Sequence, residues 1–402
     1  MGRTNKRRTQ NLIKMNTKLA DYYNVDSLLN EENKLVRDSV RDWVKENVSP
    51  VIEECNLNGY FPKNLIKNLA EIGGFGGIFP EEYGGASIDF ISYGLMMQEL
   101  ERGDSSIRVF ASVQTSLVMN TIFKYGSESL KKEYLKKLSE GTLIGSFGMS
   151  EPNHGSDPSS MNTTFEEFDD YYLVNGSKMW IGNAPICDIA IVWAKSKNNS
   201  YACFLVDRET PGFSTSKIER KLSFRASETG ELIFHDARIP KKHLLFKSNS
   251  FKAGLESLNL ARYAVAWGAL GIAMECYEVA LNYSNERIQF EKKIASNQLI
   301  QKKLVYMVTE ITKCQLLSWR LGKLMNDGLA TFEQISMAKR NNVDVAYKIA
   351  RHSRQILGGM GITAEYPVMR HLMNLETLIT YQGTDEIHTL ITGRDITGVS
   401  AF

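Results

Sequence analysis

The sequence lacks any long apolar run and any strong excess of one charge. No stretch reaches the roughly 18 consecutive apolar residues that a membrane-spanning helix needs, although 43% of its 402 residues are hydrophobic. The formal net charge is only +2, which argues against nucleic acid or another bulk polyanion as a partner. Together with a charged fraction of 23%, these absences predict a soluble globular protein without a membrane partner.

Cysteine and histidine are scarce, and neither shows a spacing that would build a metal site. The six histidines form no HExxH pattern. The cysteines are odd in number and contain no CxxC pair: Cys55, Cys187, Cys203, Cys276 and Cys314. We therefore expect a reducing compartment, with no metal ion and no disulfide.

The beginning of the chain is basic. Residues 2–20 contain six Lys or Arg side chains, and no acid occurs before Asp21. This composition fits either a basic organellar presequence or a disordered extension in front of a second start at Met15. Since serine is absent and alanine occurs only at Ala20, we favour the extension and assign it to residues 1–24.

A chain of this length exceeds one ordinary hydrophobic core, so two or three structural units are expected. Residues 25–143 show helical periodicity. Asn30 is a suitable N-cap for a helix that ends before Pro50. The apolar residues of this helix recur at helical spacing: Val36, Val40, Trp43 and Val44. A further helix is expected at 93–102.

Residues 144–248 change to short β-rich runs at 189–194, 201–206 and 232–234, which predict a small all-β unit. Helical periodicity returns in residues 249–402. Two apolar stripes mark its helices: Ile300, Leu304, Met307, Val308, Ile311 and Cys314, and then Ile335, Ala338, Val343, Ala346 and Ala350. We interpret these stripes as the core of a helical bundle.

The most informative stretch is 147–183. Its first half concentrates Gly, Ser, Pro and Asn, so neither helix nor strand is expected there. In its second half, Asn175-Gly176 separates the apolar runs 171–174 and 179–181, which predicts a β-hairpin. A loop with bare N–H groups and hydroxyls, followed by an aromatic residue, suits a phosphate-bearing cofactor with a planar ring. A plain surface loop before a hairpin is the alternative.

Two motifs in this stretch resemble a known family. The segments Glu-Pro-Asn-His-Gly-Ser-Asp at 151–157 and Asn-Gly-Ser-Lys-Met-Trp-Ile-Gly at 175–182 are similar to the flavin loop of acyl-CoA dehydrogenases. The resemblance runs from about residue 20 to the C-terminus. The ending Ile-Thr-Gly-Val-Ser-Ala-Phe at 396–402 is typical of the glutaryl-CoA dehydrogenase branch.

The resemblance implies an α+β fold with three domains: an N-terminal α-helical domain at 25–143, a small β-barrel or sandwich domain at 144–248, and a C-terminal four-helix bundle at 249–402. It also implies FAD as cofactor, an acyl-CoA substrate, an electron-transferring flavoprotein as redox partner, and a homotetramer built by the bundle. The protein would act in the cytoplasm of a bacterium or, alternatively, in the mitochondrial matrix.

The cofactor residues implied by the resemblance come from several segments. Those near the flavin ring and pyrophosphate are Phe147, Met149, Ser150, Gly155, Ser156, Trp180 and Gly182. A neighbouring subunit would contribute Arg287, Gln289, Phe290, Gln298, Gln355, Leu357, Gly358 and Gly359, and Thr384 and Glu386 complete the set. Arginine suits a phosphate, and paired glycines let the backbone approach a ligand closely.

The substrate residues implied by the resemblance are Glu101, Arg108, Ser112, Ser156, Asn259, Arg262, Tyr381 and Gly383. Arg108 would bind the free distal carboxylate of the acyl chain, because its planar fork matches a carboxylate. A helix-end salt bridge between Arg108 and Asp104 is the alternative. Val109 replaces a serine that is common in the family, so the pocket is not an unaltered copy.

Gln382 occupies the position of the catalytic base. The family's Tyr-Glu-Gly-Thr reads Tyr-Gln-Gly-Thr at 381–384, and an amide cannot accept the acyl α-proton. Such a loss typically costs about 10²–10⁴-fold in rate. Some branches carry the base at the position of Ala261, which offers no suitable group. The carboxylates that remain as replacements are Glu101, Asp385 and Glu386.

A second departure lies at Gly182, where the family's Trp-Ile-Thr reads Trp-Ile-Gly. The hydroxyl that normally donates a hydrogen bond to flavin N5 is missing. Since an engineered Glu→Gln change would not explain Gly182, we interpret both departures as natural divergence from redox chemistry. Three hypotheses follow: a glutaryl-CoA-type dehydrogenase that decarboxylates its product, a flavoenzyme that removes a β-acidic group without a strong base, and a silent acyl-CoA- or FAD-binding protein.

Overall fold

The structure is a computed structural model that describes residues 20–401. Residues 1–19 of the predicted extension and Phe402 of the family-like ending lie outside the described residues. Ala20 is buried, with 4% of its surface exposed, and Asp21 accepts hydrogen bonds from the N–H groups of Val25 and Asp26. Residues 20–24 therefore belong to the folded unit rather than to an extension.

The N-terminal unit is helical, as predicted. Its first helix begins after Asn30, whose side chain accepts a hydrogen bond from the Asn33 N–H while Asn33 accepts one from the Asn30 N–H, which forms a capping box. The helix continues into a π-helical turn, Val44–Val48, before Pro50. The helices of this unit are α1 (Glu31–Trp43), α2 (Ile52–Asn58), α3 (Leu65–Glu71), α4 (Phe90–Gly103), α5 (Ser105–Ser112), α6 (Asn120–Tyr125) and α7 (Glu128–Ser139).

Helices α4 and α5 carry the buried part of this unit. Helix α4 confirms the helix expected at 93–102 and packs against α1. Every residue of α5 is buried, and the chain continues from it through a buried π-helical turn, Val113–Met119. Such turns are frequent at functional sites.

The middle unit is a β domain built on one eight-stranded sheet. The strands are β1 (Gly145–Gly148), β2 (Thr164–Glu167), β3 (Tyr171–Gly182), β4 (Ile189–Lys195), β5 (Tyr201–Asp207), β6 (Phe213–Lys217), β7 (Thr229–Pro240) and β8 (Leu244–Ser248). Their order is β6-β7-β3-β2-β4-β5-β8, with β1 paired in parallel to β4. The three predicted runs correspond to β4, β5 and the middle of β7.

The predicted hairpin at Asn175-Gly176 is wrong. Both residues lie inside the continuous strand β3, and the turn that precedes β3 falls at 168–170. The Asn175 side chain exchanges hydrogen bonds with Asp236 on β7, so its turn-forming groups are used across the sheet. A β-carbon on Gly176 would come within 2.7 Å of Thr163. The glycine therefore marks a bulge and a close backbone approach.

The expectation that the stretch is a loop from Phe147 onward also needs correction, because Phe147 lies on β1. The two glycines of this strand serve packing rather than a turn. A β-carbon on Gly145 would come within 2.5 Å of the Val118 side chain, and one on Gly148 within 2.8 Å of Leu232. The irregular segment begins only after the strand.

The C-terminal unit is helical, as predicted. Its elements are α8 (Lys252–Glu256), α9 (Asn259–Glu286), the short strands β9 (Ile288–Gln289) and β10 (Lys292–Lys293), α10 (Gln298–Asn326), α11 (Phe332–Ile356), α12 (Val368–Thr380) and α13 (Asp385–Thr397). The two predicted apolar stripes lie on α10 and α11. Helices α9 to α12 form the expected bundle, and α9 also packs against α4.

One stretch of the described residues, Lys252–Glu286, is long and apolar enough to cross a membrane by length and composition. The sequence was expected to contain no such stretch. However, 78% of its most apolar window is buried inside the protein, as in the core helix of a globular domain.

A buried ion pair joins the N-terminal unit to the C-terminal bundle. Asp104 begins α5 by accepting a hydrogen bond from the Ser106 N–H at 2.7 Å. Its other oxygen accepts from Arg370 on α12 and, at 2.9 Å, from Asn374. The salt bridge between Asp104 and Arg108 considered above therefore does not form. Burial alone would raise the pKa of Asp104, but the charge of Arg370 and the Ser106 bonds outweigh it and lower the pKa.

Asp104→Asn should lower the free energy of unfolding by about 1.5–3 kcal/mol at pH 7, because Arg370 loses a charge-assisted hydrogen bond and keeps only Glu53, at 2.8 Å, as an anionic partner. Urea unfolding of the natural protein and the variant measures this. The difference should shrink in acid as the pH falls through the lowered pKa of Asp104. Asp38→Asn is the matched control, since the Asp38 side chain is 53% exposed and surface pairs contribute about 0–1 kcal/mol. Equal losses in the two variants would contradict the role of Asp104.

Candidate functional site

Arg108 lies at the centre of a buried polar cluster. Its side chain is fully buried, and its Nε donates to Glu101, its Nη1 to Ser112 Oγ at 3.2 Å, and its Nη2 to the Tyr381 hydroxyl. Glu101 lies on α4, Arg108 and Ser112 lie one turn apart on α5, and Tyr381 follows α12. The structure therefore brings together four of the residues assigned to substrate binding.

The cluster can pack against α9 because that helix has a glycine, Gly268, at the point of contact. A β-carbon on Gly268 would lie 2.4 Å from Glu101 Oε2 and 3.1 Å from Arg108 Nε. Any side chain there would displace the ion pair. The sequence did not single out Gly268, because a lone glycine in a helical pattern does not indicate what packs against it.

The cluster retains unused hydrogen-bonding capacity. Each guanidinium nitrogen of Arg108 makes one bond, and the two terminal nitrogens keep a further N–H each. Glu101 Oε1 is buried without a hydrogen-bond partner among the described residues. Burial raises the pKa of Tyr381 to about 12, so its hydroxyl keeps its proton at neutral pH. Arg108 and Tyr381 can thus bind an anionic group at this end of the site.

Two buried cations hold the turn that contains Gln382. Gln382 has a φ of 55° and Gly383 a φ of 100°, so both lie in the left-handed region. Arg262 Nε on α9 donates to the Gln382 carbonyl at 2.9 Å, and Lys339 Nζ on α11 donates to the Gly383 carbonyl at 2.8 Å. Arg262 also lies 3.4 Å from the Asn259 side chain. A residue other than glycine keeps such a strained conformation only when several surrounding contacts hold it in place, and such residues are frequent at functional sites.

The turn lies in a region of positive charge. Burial lowers the pKa of Arg262 to about 10, and no carboxylate of the described residues pairs with it. Burial and the charge of Arg262 lower the pKa of Lys339 to about 7, against an opposing contribution from Asp385. Burial and both cations lower the pKa of His388 to about 3. An anion beside Gln382 would therefore be favoured.

The carboxylates considered as a relocated base occupy other environments. Glu101 is engaged by the ion pair described above. Glu386 is exposed in the first turn of α13, and Asp385 is half-buried beside it. Ala261 is fully buried and carries no functional group.

The irregular segment after β1 is held at its base by a second buried ion pair. Lys178 on β3 is fully buried, and its Nζ donates to Glu151 at 2.8 Å and to the Met149 carbonyl at 3.2 Å. Glu151 also accepts from the N–H groups of Asn162 and Thr163 at 2.6 and 2.9 Å. One carboxylate thus closes both ends of the segment.

The outer face of this segment fits a planar cofactor that carries phosphates. Gly155 and Ser156 are exposed, so their N–H groups and the Ser156 hydroxyl are accessible to a ligand. Trp180 is 60% exposed and has a φ of 65°, a strained conformation of the kind found at ligand sites. A β-carbon on Gly182 would lie 3.4 Å from Val113 in the π-helical turn after α5. The end of β3 therefore lies close to the turn that follows Ser112 of the Arg108 cluster.

The other residues assigned to the cofactor lie at the far end of α9. Arg287 follows this helix and Arg262 lies near its start, so the helical rise separates them by about 38 Å. Helix α11 runs parallel to α9, so its C-terminal residues lie at the same end. The exposed members of this group are Arg287, Gln289, Phe290, Gln298, Gln355, Gly358 and Gly359, while Leu357 is buried. Thr384 caps α13 and lies beside Glu386.

The chain belongs to the acyl-CoA dehydrogenase family. Residues 30–142 match the N-terminal domain of acyl-CoA dehydrogenases, residues 146–237 the middle domain and residues 251–397 the C-terminal domain. The expected α+β fold, with a β domain between two helical ones, is confirmed.

Three proteins illustrate the similarity. An acyl-CoA dehydrogenase of Bacillus subtilis (strain 168) is 37% identical over 92% of this chain and 98% of its own length. A glutaryl-CoA dehydrogenase of Desulfococcus multivorans is 34% identical over 93% of this chain and 99% of its own. The crystal structure of a glutaryl-CoA dehydrogenase from Mycobacterium smegmatis in complex with FADH2 is 41% identical, covers 94% of this chain and 97% of that one, and superposes with a TM-score of 0.92. The expectation of FAD as cofactor agrees with the FADH2 in this last structure.

Sequence reasoning missed the roles of the buried lysines. Lys339 directly follows Ala338 in the apolar stripe of α11, so a charged residue on a buried face was a visible signal. Lys178 stood inside the recognised motif, but nothing local indicated that Glu151, 27 residues away, is its partner. Lys178 pairs with the carboxylate of Glu151, whereas Lys339 binds only the carbonyl of Gly383 among the described residues.

Lys178→Met should weaken FAD retention and lower stability, because it leaves Glu151 buried without its cation. Breaking such a pair costs about 3–5 kcal/mol. The ratio of flavin to protein after gel filtration and urea unfolding measure the two effects. Lys197→Met is the control in the same domain, since the Lys197 side chain is 81% exposed. Unchanged FAD retention in Lys178→Met would show that the pair does not hold the flavin loop.

Proposed function

We propose that this chain is an FAD-dependent dehydrogenase of the glutaryl-CoA type, acting on the CoA thioester of a dicarboxylic acid, in which Gln382 restricts turnover. One observation supports the substrate class above others: the buried cluster of Arg108, Glu101 and Tyr381, in which two N–H groups of Arg108 remain unused. The names of similar proteins agree with it, because two of the three relatives described above are glutaryl-CoA dehydrogenases.

In this proposal Arg108 anchors the free carboxylate of the acyl chain. Its two unused N–H groups and the Tyr381 hydroxyl are directed by the bonds to Glu101 and Ser112, so the anchor is already oriented. The neighbouring Glu101 keeps the cluster close to neutral before the substrate binds. A substrate without a terminal carboxylate would leave Arg108 without this additional partner.

Removal of the acyl α-proton is the step for which this site lacks a suitable group. FAD supplies the hydride acceptor, and the complete reaction, including decarboxylation to crotonyl-CoA, needs a group that removes the α-proton. Gln382 occupies that position and cannot accept a proton. Gly182 also lacks the hydroxyl with which the family's threonine donates a hydrogen bond to flavin N5. We propose that binding is intact and that proton abstraction is slow.

The assembly and the redox partner follow from the same proposal. The exposed group around Arg287 lies about 38 Å along α9 from Arg262, so it would serve the flavin of a neighbouring subunit in a homotetramer. An electron-transferring flavoprotein would accept the electrons. The cytoplasm of a bacterium is the proposed location, with the mitochondrial matrix as the alternative.

A second candidate function is the non-oxidative removal of a β-acidic group, such as carboxylate or sulfinate, from an acyl-CoA. The observation that favours it is the positive charge around a neutral Gln382: Arg262 has no carboxylate partner among the described residues, and Lys339 lies beside it. A catalytically silent acyl-CoA- or FAD-binding protein is the third candidate.

Anaerobic addition of glutaryl-CoA to the purified protein, followed by the flavin spectrum, separates these candidates. Bleaching of the flavin supports dehydrogenation. A charge-transfer band without bleaching indicates binding without oxidation, as the other two candidates require. Product analysis after incubation with acyl-CoAs that carry a β-carboxylate or β-sulfinate then distinguishes those two.

Arg108 should make the natural protein prefer glutaryl-CoA over butyryl-CoA by about tenfold or more, because only glutaryl-CoA offers a carboxylate for a charge-assisted hydrogen bond, which contributes about 1.5–3 kcal/mol. Spectral titration of the flavin gives both dissociation constants. Arg108→Met combined with Glu101→Gln removes both charges of the pair and should abolish the preference, while Glu101→Gln alone is the control. Equal constants for the two ligands in the natural protein would refute the anchoring role.

Gln382→Glu should raise the rate of flavin bleaching by glutaryl-CoA by about 10²-fold or more, because it supplies the missing proton acceptor in nearly the same shape. Stopped-flow absorbance under anaerobic conditions measures the rate. Gly182→Thr should add to the gain, since its β-carbon would meet only Val113, at 3.4 Å. A natural protein that already bleaches as fast as the Gln382→Glu variant would reveal a relocated base.

A further inference from the structure

Residue 382 is presented by a turn whose carbonyls are each held by a cation from a different helix. Arg262 on α9 binds the carbonyl of Gln382, and Lys339 on α11 binds the carbonyl of Gly383. The first bond fixes ψ of residue 382 and the second fixes ψ of residue 383. Behind the turn, a β-carbon on Gly383 would lie 2.8 Å from His388 Nε2, so the backbone is also packed from α13.

The burial of the Lys339 ammonium group is unfavourable in free energy. Only 1% of its surface is exposed, and burial together with the charge of Arg262 lowers the pKa of its ammonium to about 7. Its one hydrogen bond in the described residues goes to the Gly383 carbonyl. The charged groups that face it are Arg262 on α9, Arg108 on α5 and Asp385 on α13, and the neutral imidazole of His388 on α13 also faces it. Burying an apolar residue at this position would cost less free energy than burying a lysine. We therefore attribute the lysine to its hydrogen bond with the Gly383 carbonyl.

We infer that Lys339 is a positioning residue which, together with Arg262, fixes the left-handed turn that aims the side chain of residue 382 at the bound acyl-CoA. The inference rests on the proposed function in one respect, namely that residue 382 faces the reacting thioester. Gln382 keeps a positive φ without being glycine, and such a conformation persists only when the surrounding contacts over-determine it. Arg262 alone would hold the Gln382 carbonyl but not the Gly383 carbonyl.

The first test follows the backbone and needs no activity. In Lys339→Met, amide hydrogen exchange of a peptide that spans residues 378–388 should become at least about tenfold faster, the factor that follows from losing one charge-assisted hydrogen bond. Peptides from the β domain should exchange as in the natural protein. Lys348→Met is the matched control on the same helix, because the Lys348 side chain is 54% exposed and pairs with Asp344. Unchanged exchange in the 378–388 peptide would overturn the inference.

The second test follows the chemistry in the Gln382→Glu background. Adding Lys339→Met should slow flavin bleaching at saturating glutaryl-CoA by about tenfold or more, while the dissociation constant of glutaryl-CoA changes by less than about threefold. A parallel loss of rate and affinity would indicate a general structural role and overturn the inference. If Gln382→Glu alone fails to bleach, the proposed function fails, and hydrogen exchange decides the role of Lys339 independently.

If the Lys339→Met protein does not fold, Lys339→Gln is the deciding variant. Glutamine keeps an N–H donor with shorter reach and removes the charge. Exchange of the 378–388 peptide should then lie between the natural and fully loosened rates, with unchanged FAD content. Natural exchange in Lys339→Gln would overturn the inference, because it would show that neither the reach nor the charge of Lys339 fixes the turn.

Discussion

The contact between the N-terminal helices and the C-terminal bundle depends on buried ion pairs. Glu101 and Arg108 are both fully buried where α4, α5 and α9 meet, and removing either partner would leave the other at a cost of about 3–5 kcal/mol. The pair therefore fixes α4 against α5, requires a glycine at position 268, and draws Tyr381 to the same point. The Asp104–Arg370 pair repeats this constraint between α5 and α12. Because Tyr381 of this cluster directly precedes Gln382, the cluster and residue 382 cannot shift independently.

The fold was predictable where local sequence decides the outcome. Asn30 has the side chain of a helix cap and a partner three residues later, and the stripes on α10 and α11 follow the helical period. The hairpin prediction failed because Asn175-Gly176 has the chemistry of a turn while Asp236, 61 residues away, takes the bonds of Asn175. A glycine needed for a close approach and a glycine needed for a turn look alike in sequence, and only the neighbouring strand distinguishes them.

The candidate site was predictable from motif order but not in its geometry. Arg108 has two acids nearby in sequence, and the choice between Asp104 and Glu101 depends on where the helix breaks. Because Asp104 begins α5 and binds Arg370, its carboxylate is committed, whereas Glu101 on the preceding helix faces Arg108. The contact between Lys339 and Gly383 joins residues 44 apart, so no local pattern could indicate it, although a lysine within an apolar stripe marked the position.

Gln382 changes the charge balance of the site as well as its proton chemistry. A carboxylate at this position would raise the pKa of Lys339 above its present value of about 7, while Lys339 and Arg262 would lower the pKa of the carboxylate, so the groups would titrate as a unit. Burial would act in the opposite direction on the carboxylate, and a useful base would require the two effects to balance near neutral pH. With a neutral glutamine, Arg262 has no carboxylate partner among the described residues, and Lys339 relieves the repulsion by releasing its proton near neutral pH. Glutamine therefore leaves the charge of Arg262 uncompensated at this turn and supplies no proton acceptor.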